Sequence, residues 1–93
     1  MRTINFIQYS ILVPSLIVGP NLWAQEQDIQ LADVPAVVIE AAEAAVEGLQ
    51  ITSAEIEVED SQTVYELEGT ADGSEYEVEV SADGQILEIE IDD

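Results

Sequence analysis

From Gly48 onward the chain alternates apolar and acidic residues with period two, through Ala54–Glu59, Val64–Glu68, Glu75–Val80 and Leu87–Asp92. Turn-forming clusters separate these runs: Asp60-Ser61-Gln62, Gly69 to Gly73 and Ser81 to Gly84. Asp72-Gly73 and Asp83-Gly84 are the stronger turn signals, because Asp-Gly readily supplies the positive φ of a tight hairpin. The pattern predicts four short antiparallel strands joined as a meander. A repeat of period 11 aligns Tyr65–Gly73 with Tyr76–Gly84, and reads as hairpin regularity, each unit being one strand and one turn.

Before Gly48 the period is 3.6. Asp33 is placed to cap a helix whose first turn holds Pro35, where the missing N–H costs nothing. Glu40, Glu43 and Glu47 fall on one side, and Val34, Val38, Ala42, Ala45 and Leu49 on the other. A helix of about 15 residues is marginal alone, so its small-residue face must dock on the sheet. Strand parity sends Ile56, Val58, Tyr65, Leu67, Tyr76, Val78, Val80, Leu87, Ile89 and Ile91 toward that helix. The other face receives Glu55, Glu57, Glu59, Glu66, Glu68, Glu75, Glu77, Glu79, Glu88, Glu90 and Asp92. A slip of one residue would bury this row of acids, so the register is strongly specified. The predicted fold is α+β: one amphipathic helix on a four-stranded antiparallel meander sheet.

Residues 1–24 differ in kind, with Arg2, an apolar stretch from Ile11 to Val18, a Gly19-Pro20 break and a polar restart at Gln25. This is the layout of a signal peptide, cut between Ala24 and Gln25. The apolar stretch is short of the ~20 residues needed to span a bilayer, so the mature form is expected to have no membrane span and to be periplasmic or secreted. Residues 25–30 read as a flexible lead, and the domain as 31–93.

Composition then narrows the chemistry. The 93 residues hold 21 acidic and one basic side chain, for a formal charge of −20, with no Cys and no His. Disulfides, thiolate or imidazole metal sites, Ser-His-Asp triads and a Walker lysine are excluded. A polyanion of this strength also repels nucleic acid. Removal of the leader takes Arg2 and leaves every acid, so no internal salt bridge is then available.

The stretches Leu31-Ala-Asp-Val-Pro35, Val64-Tyr-Glu-Leu-Glu68, Asp72-Gly-Ser-Glu-Tyr-Glu-Val-Glu-Val80 and Asp83-Gly-Gln-Ile-Leu-Glu88 resemble the PepSY and PepSY-like domains, related in fold to β-lactamase inhibitor proteins. The resemblance covers residues 31–92. It implies a secreted or periplasmic binding module of a kind proposed to restrain peptidases, and it brings no catalytic residues to this chain.

The acidic face is the candidate site, represented by Glu57, Glu66, Glu68, Glu77, Glu79, Glu88 and Glu90. Three uses are open: docking of a basic envelope protein, diffuse association with Ca²⁺ or other cations, or simple solvation of a salt-adapted envelope protein with no specific partner. No EF-hand spacing is present, so no dedicated metal site or cofactor is expected. Paired carboxylates alone do not make a glycosidase, which also needs a cleft and one carboxyl in an apolar pocket, so no enzyme activity is expected. A monomer is the expected state. A weaker alternative is an accessory domain adding an edge strand to another protein's sheet.

Overall fold

The computed structural model describes residues 2–5 and 26–92; the apolar stretch Ile11–Val18 and the cleavage positions Ala24 and Gln25 lie outside them. Six strands form one sheet: β1 (Arg2–Asn5), β2 (Gln27–Ile29), β3 (Gln50–Glu59), β4 (Gln62–Ala71), β5 (Ser74–Ser81) and β6 (Ile86–Asp92). Their order is β1-β6-β5-β4-β3-β2, and every neighbouring pair is antiparallel. A 3-10 turn at Leu31–Asp33 leads to the helix α1 (Ala36–Ala45).

The meander of β3 to β6 is the predicted one, but residues 26–92 contribute five strands rather than four. The added strand is β2, taken from the stretch predicted to be a flexible lead. Its three residues satisfy their backbone groups along β3, with Asp28 opposite Glu55 and Ile29 opposite Ala54. Ile29 packs against the core, which gives this short segment an apolar anchor. Arg2–Asn5, within the predicted leader, pairs with the other edge, placing Thr3 opposite Glu90 and Ile4 opposite Ile89. Among the described residues no helix is long and apolar enough to cross a membrane.

The helix also begins later than predicted. Asp33 lies in the 3-10 turn and makes no capping bond; Pro35 holds the cap position, and its carbonyl accepts from the Val38 and Ile39 N–H groups. Gly48, at φ 79°, takes the left-handed conformation that ends the helical segment. Val38 and Ala42 are fully buried, whereas Ala45 is exposed because the chain leaves the helix there and Val46 turns inward instead.

The core lies between α1 and the sheet, built on Val38, Ala42, Leu67, Val78, Val80, Ile89 and Ile91. Tyr65 is buried in it and Tyr76 packs at its margin, as strand parity requires. Two β-bulges re-phase the strands. In β3, Ile51 faces Gly69 and Ser53 faces Glu68, so Thr52 is extra, and Ile51 on one side of the break packs with Ala54 and Ile56 on the other. In β6, Ile86 rather than Leu87 faces Val80 and packs on the core; Leu87 is buried outside that cluster. Val58 is another departure from expectation. It is 48% exposed, since the β3–β4 hairpin tip extends past the reach of α1.

Both tight hairpins have two-residue turns with positive φ at each residue: Asp60 (51°) and Ser61 (67°), then Asp72 (54°) and Gly73 (81°). That conformation matches the twist of the strands it joins. Gly69 is not part of a turn. It continues β4 beside the first bulge, where an added Cβ would stand 2.3 Å from the Gln50 carbonyl oxygen.

Candidate functional site

The register of the sheet places acids directly opposite acids. One row crosses five strands as Asp28, Glu55, Glu66, Glu79 and Glu88. A second runs Ser53, Glu68, Glu77 and Glu90. Side chains in such opposed positions have Cβ atoms roughly 5 Å apart, and like charges there repel. The seven candidate residues Glu57, Glu66, Glu68, Glu77, Glu79, Glu88 and Glu90 therefore share one face, opposite the helix-covered face. No other described helix or strand packs on it.

These carboxylates are not equally wet. Glu68 is exposed and accepts a hydrogen bond from the Ser53 hydroxyl at 3.0 Å. Glu57, Glu77, Glu79, Glu88 and Glu90 are half-buried, and Glu66, on a strand with three others on one side of it in the sheet and two on the other, is only 8% exposed. Burial disfavours the charged form and neighbouring acids add to that effect. Glu79 is pushed up to about 7, first by burial and then by Glu88, Glu59, Glu57 and Glu77. Glu77 is raised by burial and by Glu90, and Glu88 by burial, Glu90 and Glu59. Burial also raises Glu57, followed by Glu59, Glu26 and Glu55. Glu55 is raised by burial, Glu26 and Asp28.

Glu26 and Asp28 are members of this face that the sequence reading left in the lead. The only signal for them was the alternation of Glu26, Gln27, Asp28 and Ile29, too short to read as a strand. Pairing to β3 carries Glu26 next to Glu57, and one carboxylate oxygen from each of Glu26, Glu57 and Glu66 lies within 4.8 Å of the other two.

At the Gly69 end of the face lies a shallow depression lined by Thr52, Glu68, Thr70, Glu77 and Glu90. It can accept a protruding side chain, and its rim would favour a cationic one.

Residues 35–92 match the family model described as PepSY: Peptidase propeptide and YPEB domain. No match was found among curated proteins or among solved structures.

Proposed function

Since the chain belongs to the PepSY family, we propose that it is a secreted or periplasmic binding module that restrains or regulates an envelope protein, of peptidase or sensor type, by docking its acidic sheet face on a basic surface. Domains of this family are commonly peptidase propeptides or inhibitor-like modules and are generally non-catalytic. They occur in extracellular or periplasmic proteins. The observation that carries the docking reading is the juxtaposed acid rows across β3 to β6, which concentrate negative potential on one face. A partner supplying Lys or Arg would relieve a repulsion that the free domain bears alone. Salt should weaken such a complex strongly, because exposed charges are screened over roughly 10 Å at ~0.1 M.

The test is capture of envelope proteins on the immobilised chain, with the double variant Glu77→Lys, Glu79→Lys as control. The expected result is one dominant basic protein, released at moderate salt and lost with the variant. Removing negative charge from a crowded face should not unfold the domain, so a lost interaction reports on docking. Recovery of many unrelated basic proteins, or undiminished capture by the variant, would refute specific recognition.

A further inference from the structure

We propose that the outer edge of β6 accepts an extended, basic segment of the partner protein, which adds to the sheet as a strand once residues 1–24 have been removed. The same edge carries a strand in the full chain. Arg2–Asn5 runs antiparallel along it, with Arg2 opposite Ile91, Thr3 opposite Glu90, Ile4 opposite Ile89 and Asn5 opposite Glu88. Loss of the leader takes β1 away, and the N–H and C=O groups that β6 turns toward it are left as a template for another chain. β6 itself remains anchored, by pairing to β5 on its other side and by burial of Leu87, Ile89 and Ile91. It is seven residues long, whereas β2 at the opposite edge has only three and offers little backbone to pair with.

The register says which segment fits. Residues opposite one another on antiparallel strands share a face of the sheet. Both acid rows end on β6, at Glu88 and Glu90, so an added strand supplies their next members. Lys or Arg at those two positions meets a carboxylate across the pair, and apolar β-branched residues at the alternating positions meet Ile89 and Ile91. By this measure the leader is a poor complement. Thr3 and Asn5 hold the positions opposite the two acids, and the one base, Arg2, stands opposite Ile91. A second copy of the chain is worse, because β6 paired with β6 sets acid opposite acid or, one residue out of step, acid opposite core residue.

This inference rests on the docking reading and names the part of the partner that engages the border of the acidic face. The probe is a labelled, end-blocked peptide as long as β6 that alternates Val and Lys, with two versions of equal charge, one N-methylated at every Lys amide and the other at every Val amide. Binding is read by fluorescence anisotropy on the unprocessed full chain and on its double variant Thr3→Pro, Ile4→Pro, which removes a β1 donor of each parity and so frees the edge. The variant should bind the parent peptide at least ~10-fold more tightly than the unaltered chain does, since β1 no longer competes from within the molecule. Only one parity of peptide amide faces β6, so one methylated version should bind at least ~10-fold more weakly and the other within about twofold of the parent peptide. Circular dichroism checks that the variant is folded, and if it is not, the contrast between the methylated peptides on the unaltered chain decides the matter. Equal binding of all three peptides, or equal affinity of the two chains for the parent peptide, overturns the strand. Protein capture that still depends on Glu77 and Glu79 would then leave the docking reading standing. Parity-dependent peptide binding without specific protein capture would support the edge and overturn docking on the face.

Discussion

Replacing Glu79 with Gln tests whether the acidic face is under electrostatic tension. Glu79 lies on β5 between Glu66 on β4 and Glu88 on β6, and its carboxyl is held at about 7 against an ordinary value of 4.5. The folded state therefore binds this proton more tightly than the unfolded chain does. Stability contributed by the protonated group is complete below 4.5 and is lost as pH rises through about 7. At ~1.4 kcal/mol per pH unit the full separation would amount to roughly 3 kcal/mol. The side chain is only half-buried and its neighbours are screened by salt, so about 1 kcal/mol is a better expectation. Glu79→Gln keeps the shape and removes the charge. At about pH 8 it should raise the melting temperature by ~4–8 °C, the usual response of a small domain to 1 kcal/mol. Near pH 4.5 the difference should vanish, because the parent is then neutral at this position. The assay is thermal unfolding followed by circular dichroism at both pH values and at low and moderate salt. An equal gain at both pH values, or a loss at pH 8, would refute the argument from crowding.

The packing makes further predictions. Leu67→Ala removes a fully buried side chain at the centre of the core and should cost ~2–5 kcal/mol in denaturant unfolding, whereas Val58→Ala, at the exposed hairpin tip, should cost less than about 0.5 kcal/mol. Gly69→Ala forces a methyl group against the Gln50 carbonyl, so it should destabilise by ~1–3 kcal/mol although Ala is otherwise the better-tolerated residue; an unchanged midpoint would show that the bulge can yield.

Much of the architecture follows from local chemistry that can be read along the chain. Alternation between Val64 and Glu68 and between Glu75 and Val80 assigns side chains to faces because the strand period is two, and Asp72-Gly73 marks its hairpin because few other pairs accept positive φ twice. The same alternation misleads at Leu87 and Val58. A bulge is a property of two paired strands, so neither Ile86 nor Leu87 alone reveals which will face Val80. Val58 has the correct parity, but burial also requires something opposite, and the length of α1 relative to the β3–β4 hairpin is a tertiary fact. Gly69 looked like turn chemistry and is instead a point of close backbone approach.

The excess of 21 acids over one base, and the gathering of most of them on one side of the sheet, were determined by the sequence alone, since charge count and strand parity need no partner. Which acids oppose which was decided by the tertiary structure, because register couples residues distant along the chain. It sets Glu79 between Glu66 and Glu88, and buries Glu66 in the middle of the acid row. It also turns residues 27–29 from a tail into a strand, delivering Glu26 to Glu57 and Glu66. Electrostatic energy depends on distance and burial, and both arise only when the strands pair.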